Sequence, residues 1–268
     1  MIYWDPKPEI FSYNLPLLGR PLLWYGFLFA VGFFLGYYVL VFCLKKRGQA
    51  KAKFYAEKLA FYLIIGMVLG ARLGDLLFYQ SWGSLTQDPG ALFRFWEGGL
   101  ASHGGAVGIL VALWLFQRKY GLYSWLQWLD LIVIPAGLIG CFIRVGNFIN
   151  QEILGKVTTV PWAVVFGHPM DGSAPLPRHP VQLYEALFYL GVFFLLLALF
   201  LRKKWKAGLL SGLFLTLVFT FRFIIEFWKE EQSEMISPHV ALTMGQLLSL
   251  PLIGFGLWLL WKFKRNKR

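Results

Sequence analysis

Residues 22–44 read LLWYGFLFAVGFFLGYYVLVFCL, a run without a single charge, bounded by Pro21 on one side and Lys45-Lys46-Arg47 on the other. About 20 apolar residues in a helix cross the ~30 Å of hydrocarbon in a bilayer. This run therefore reads as a membrane span. Six more follow at 59–79, 100–117, 129–148, 183–201, 207–228 and 240–261. The fold class expected is an all-α integral membrane protein of seven transmembrane helices, a single polytopic domain over 1–268. The composition agrees. Hydrophobic residues are 57% of the chain and charged residues 15%, far from the roughly 25% charged of soluble domains. The third run opens with Gly, Ser and His, and is expected to begin as irregular backbone, tolerated at membrane depth only where protein or water covers it.

A net charge of +12 would suggest nucleic acid in a soluble protein. Its placement says otherwise. Seventeen of the 26 basic residues fall in alternate connections and the C-terminal tail, in 45–58, 118–128, 202–206 and 262–268. Six lie in the opposite set: Lys7, Arg20, Arg94, Lys156, Arg178 and Lys229. The positive-inside rule then puts the N-terminus outside and the C-terminus in the cytoplasm. No nucleic-acid partner is expected; the basic residues face anionic lipid headgroups. Residues 1–21, polar and Pro-rich, do not read as a signal peptide and are expected to lie as an outer arm. Residues 149–182, with a β-like stretch at 158–166, read as a small outer cap. Cys43 and Cys141 sit in apolar runs without a CxxC or a ligand-spaced His, so neither a disulfide framework nor a zinc site is expected.

Ionisable groups within spans are costly and mark function by default. Arg72, Asp75, Arg144, Asn147, Asn150, Arg222 and Glu226 all fall in the outer part of their spans under this topology, with His103 at an outer mouth and Tyr25 level with it. Gln182, Tyr184 and Glu185 open the fifth span at the same depth. The competing reading is that Arg72/Asp75 and Arg222/Glu226 are structural pairs at helical spacing. Asp130 is at an inner end and reads as a solvated or capping residue.

Three segments carry chemistry. Gly98-Gly99-Leu100-Ala101-Ser102-His103-Gly104-Gly105 flanks a titratable imidazole with glycines that admit close approach. Arg144 to Gly155 spells RxGNFxNxExxG, joining a guanidinium suited to phosphate with carboxamides and a carboxylate. RHPxQLYE at 178–185 and RFxxEF at 222–227 complete the set. These motifs, in this order over essentially the whole chain, resemble the prolipoprotein diacylglyceryl transferases. The resemblance implies transfer of the diacylglyceryl group of phosphatidylglycerol to the lipobox cysteine of a prolipoprotein in the bacterial cytoplasmic membrane, with glycerol 1-phosphate leaving and no metal or cofactor. It implies His103, Arg144, Arg222 and Glu226 as catalytic residues, and Tyr25, Gly104, Asn147, Glu152, Gly155 and Lys229 as substrate-binding ones. Many members have Arg where this chain has Lys229. Arg144 and Arg222 are expected to bind phosphate and His103 to take the thiol proton. The partners expected are phosphatidylglycerol, the prolipoprotein signal peptide and membrane lipid, and the chain is expected to act as a monomer. The alternative is a transporter or lipid-binding protein with an outward polar vestibule.

Overall fold

A computed structural model describes residues 1–11, 21–78, 88, 90, 92, 99, 101–202, 206–230 and 242–265. Residues 12–20 of the expected arm, Arg94, Lys203 and Lys204 of the charge argument, and Gly98 and Leu100 of the glycine segment lie outside them. The long helices are α1 (Trp24–Lys46), α2 (Ala52–Phe78), α3 (Ser102–Tyr120), α4 (Trp125–Ile149), α5 (Val181–Leu201), α6 (Leu209–Ile225) and α7 (Met244–Arg265). A 3-10 turn, Glu226–Trp228, extends α6. All but α3 are long and apolar enough to cross a membrane. In α3, Ser102 to Gly105 at one end and Gln117 to Lys119 at the other shorten the apolar stretch.

The chain divides into two compact units, Leu40–Leu131 and Met1–Val39 with Ile132–Arg268. In the first, α2 and α3 pack through small residues. Gly66, Gly70 and Gly74 on α2 meet Gly104, Gly108 and Ala112 on α3, all at four-residue spacing. A Cβ placed on Gly74 would come within 2.8 Å of the Gly104 Cα, and one on Gly66 within 2.6 Å of the Ala112 Cβ. Small residues at helix spacing let two backbones touch, which supplies the van der Waals contact that lipid cannot. This also explains why α3 does not open as irregular backbone. It is helical from Ser102, because Gly104 and Gly105 are held against α2 and buried. The second helix likewise starts earlier than expected, since Ala52, Ala56 and Leu59 already form a buried stripe there. Asp130 is fully buried, so a solvated role is ruled out.

In the other unit, Gly32 and Gly36 of α1 seat against Phe142 and Ile139 of α4, and Gly212 of α6 against Gly256 of α7. Here the first residues of the expected arm join a small sheet. Strand β1 (Ile2–Trp4) pairs in parallel with β2 (Val164–Phe166), and β2 pairs antiparallel with β3 (Pro177–Arg178). Phe148, Leu154, Val164 and Phe166 form a small buried core beneath this sheet, with Trp4 and Leu183 packed on it. The Trp4 indole N–H donates to the Phe148 carbonyl at 3.1 Å. Asp5 next to β1 accepts from Gln151 at 3.2 Å and pairs with His168 Nδ1 at 2.6 Å. The His168 contact comes first among the hydrogen bonds that pull the Asp5 carboxyl below its ordinary value. A lowered folded-state pKa stabilises above the unfolded value, about 3.9, and that contribution is lost as pH falls through the folded one. The melting-temperature difference between the parent protein and Asp5→Asn is therefore expected to be full at pH 5, to start shrinking as pH drops below about 4, and to be gone only below the lowered folded-state value.

Candidate active site

Helix α4 ends in a tight elbow that spends the RxGNFxNxExxG residues one by one. Gly146 leaves room for the Tyr25 ring, whose Cδ2 would lie 2.9 Å from any added Cβ. Asn147, buried, accepts from Arg144 Nη1 at 3.1 Å and donates to Glu152 Oε1 at 2.9 Å. Asn150 donates to the same Glu152 oxygen at 3.3 Å. Gln182 on α5 donates to the Glu152 carbonyl at 2.7 Å. Two residues of the elbow, Gln151 and Ile153, have φ of 54° and 58°, a left-handed conformation that costs non-glycine residues about 1–3 kcal/mol each. The Gln151 side chain accepts from the His168 amide at 2.8 Å, and its carbonyl accepts from the Met170 amide at 3.0 Å. Cap contacts thus hold the elbow in shape. Gly155 ends it: any Cβ there would strike the His179 carbonyl, and its own carbonyl accepts from buried Arg178 at 3.1 Å.

The elbow reaches α5 and α6 through one carboxylate. Glu185 on α5 is fully buried. One of its oxygens lies 2.9 Å from Lys229 Nζ and the other 3.1 Å from Arg144 Nε. Lys229 is itself buried, forms an isolated β-bridge with Gly155, and has Glu226 Oε2 3.9 Å from its ammonium. Glu226 lies over the start of α7, where a Cβ on Gly245 would be 2.5 Å from its Oε1. Glu226 therefore faces Lys229 and α7 and makes no ion pair with Arg222. Among the described residues the Arg222 guanidinium, half-buried in α6, has no carboxylate partner.

His103 and Gly104 belong to the other unit, on the first turn of α3. His103 is half-buried and meets the Phe78 ring edge-on at 5.2 Å. Gly104 contributes backbone packing. The Arg72/Asp75 pair is present at 3.6 Å, and Arg72 also donates to the Gly99 carbonyl at 3.4 Å. Gly99 has φ +68°, and a Cβ there would sit 2.9 Å from the Arg72 Nη1. This ion pair therefore fastens the glycine segment to α2, the structural role weighed for it. The segment is fixed again by the Ala101 amide donating to Ala71 at 2.9 Å.

The sequence reading grouped Glu185 with the outer polar residues but left it out of the site, and it missed Tyr189. Tyr189, buried, packs its ring against Gly140 of α4, where an added Cβ would lie 2.9 Å from its Cδ2. Gln182, Glu185 and Tyr189 stand at i, i+3 and i+7, one face of α5, and that spacing was the available signal. The α2 and α3 glycines, four apart, were likewise open to reading.

Apolar helices of spanning length and small-residue crossings define a helical membrane protein, and its α4 elbow and α5 hold a buried cluster of charged residues. Comparison with known proteins narrows this. The family model described as Prolipoprotein diacylglyceryl transferase matches residues 14–262. A Tolumonas auensis protein named phosphatidylglycerol–prolipoprotein diacylglyceryl transferase is 43% identical, covering 97% of this chain and 96% of its own length. Proteins of the same name from Porphyromonas gingivalis and Protochlamydia amoebophila are 40% and 33% identical, each covering 99% of this chain and 95% of their own. The chain belongs to the prolipoprotein diacylglyceryl transferase family. The transporter and lipid-binding alternatives are not favoured by full-length likeness to enzymes of one name.

Proposed function

We propose that this chain is a transferase that moves the diacylglyceryl group of phosphatidylglycerol onto the lipobox cysteine of a prolipoprotein. Full-length relationship to proteins of that name supports the reaction. The observation that carries the phosphate site is Arg222, a half-buried guanidinium in a spanning helix with no carboxylate partner among the described residues. The chain crosses the bilayer seven times as one polytopic domain, α3 included. Its basic connections are cytoplasmic and its cap and site lie towards the outer leaflet. It works as a monomer.

The cysteine sulfur attacks the glyceryl carbon that carries the phosphate. The S–C bond forms, the C–O bond breaks, and the electron pair leaves on the phosphate oxygen as glycerol 1-phosphate. Arg144 and Arg222 stabilise the charge that develops on that phosphate. Asn147 and Glu152 hold the Arg144 end of the site, and Glu226 holds Lys229 against α7. Lys229 acts on substrate through Glu185, which it orients towards Arg144. Tyr25 packs on Gly146 with its hydroxyl available to a lipid oxygen. His103 takes the thiol proton, since a thiol of pKa about 8.5 must become a thiolate to react.

The test is transfer of label from acyl-labelled phosphatidylglycerol to a peptide with a lipobox cysteine, by purified protein in detergent. Label on the Cys peptide and none on its Ser counterpart is expected. No transfer, with a relative active alongside, would refute the assignment. For the base, His103→Gln is expected to lower turnover about 10²–10⁴-fold at pH 7; unchanged turnover removes His103 from that role.

A further inference from the structure

Beside the elbow lies a cavity of about 430 Å³, lined by Pro6, Pro8 and Leu23 from the first part of the chain and by Ile149, Asn150 and Met170. That volume is in the range of ligand sites. Asp5, Gln151 and His168 also border it, but they are engaged with one another. Asp5 Oδ1 accepts from Gln151 Nε2 and pairs with His168 Nδ1, while Gln151 Oε1 accepts from the His168 amide. Asn150 differs. Its Nδ2 donates to Glu152 Oε1 at 3.3 Å, which fixes the amide, since the reverse orientation would set two oxygens against each other. Its Oδ1 is left buried and without a hydrogen-bond partner among the described residues. A buried acceptor in that state is costly until a donor reaches it. The same Glu152 oxygen accepts from Asn147, which in turn accepts from Arg144, so the cavity adjoins the proposed phosphate site through one chain of hydrogen bonds.

We infer that this cavity receives the stretch of substrate polypeptide that follows the lipobox cysteine, with one of its backbone N–H groups donating to Asn150 Oδ1. This rests on the function proposed above. The attacking sulfur has to reach the carbon that carries the phosphate, so the residues joined to that cysteine must leave from beside Arg144. The cavity next to the elbow is where they can go. An extended peptide offers N–H donors between side chains, which suits a lining of prolines, aliphatic residues and one open acceptor. The lipid phosphate suits it poorly: the lining has no guanidinium, and Lys7, its one ammonium, is exposed.

The experiment uses full-length protein in vesicles with acyl-labelled phosphatidylglycerol, and peptides that share one apolar segment and its cysteine. The peptide either stops at that cysteine, as a carboxamide, or continues for one to four residues, each adding ~3.3 Å when extended. Expected is kcat/KM for the peptide rising about tenfold or more with length and then levelling off. Replacing the backbone N–H groups past the cysteine one at a time by an ester oxygen is expected to lower kcat/KM about 3- to 10-fold at one position. That loss is expected to disappear in Asn150→Ala. Leu23→Trp, which puts a larger side chain in the lining, is expected to bring the long peptides down to the peptide that stops at cysteine and to leave that one unchanged. If the stopped peptide is already as good as the longest, or the ester series is flat, the inference is overturned and the transferase stands. If Leu23→Trp raises KM for phosphatidylglycerol equally with every peptide, the cavity holds lipid and the inference is again overturned. No label on any peptide refutes the proposed function and the inference with it.

Discussion

Arg222→Ala is expected to lower turnover about 10²–10³-fold while leaving the melting temperature of the detergent-solubilised protein within a degree or two. Its guanidinium has no carboxylate partner among the described residues, so removal strands no buried charge. Arg144→Ala makes the contrast. Arg144 lies 3.1 Å from fully buried Glu185 and donates to Asn147. Removing one partner of a buried pair costs about 3–5 kcal/mol, so this variant is expected to lose activity and stability together. Parallel assays of label transfer and thermal unfolding check both. An Arg222→Ala variant with parental turnover would take Arg222 out of the phosphate site. One that melts far lower would show that it forms a structural contact instead.

Gly108→Leu is expected to abolish recovery of folded protein. A Cβ on Gly108 would already lie 3.0 Å from the Gly70 Cα, and it would collide with the Gly66 carbonyl. Three further carbons force α2 and α3 apart, at more than the about 1–3 kcal/mol typical of an overpacked core, because the contact is backbone to backbone and cannot be relieved by a rotamer. Val107→Leu, one residue away and exposed, is the control and should express normally. Monodisperse Gly108→Leu protein with a parental melting temperature would show that the helices do not depend on this crossing.

Much of this architecture was written in apolar length. Spans such as 22–44 and 183–201 came within two residues of the helices at each end, because the bilayer requirement is one-dimensional and depends on composition alone. The signature residues were legible as chemistry: Arg144, Asn147 and Glu152 do form one hydrogen-bonded chain. Partner choice was less legible. Helical spacing suggested that Glu226 would face Arg222, but the helix gives way to a 3-10 turn at Glu226, which turns that carboxylate towards Lys229. Glu185 and Tyr189 share one face of α5, which spacing could show, but their partners lie on α4, some 40 residues earlier in the chain, and spacing within α5 does not name them. The strand at residues 2–4 was hidden for the same reason, its partner being about 160 positions away.

That pairing has a consequence for biogenesis. Ile2–Trp4 is made well before the strand it needs, Val164–Phe166, which emerges only after α1, α2, α3 and α4. Closure over so long a separation is entropically late. Strand β1 must therefore wait with its backbone unpaired, and the sheet closes only after the four intervening helices have been made. Strand β1 thus finds its place long after it is made, and a bulky insertion beside it would burden that step of assembly.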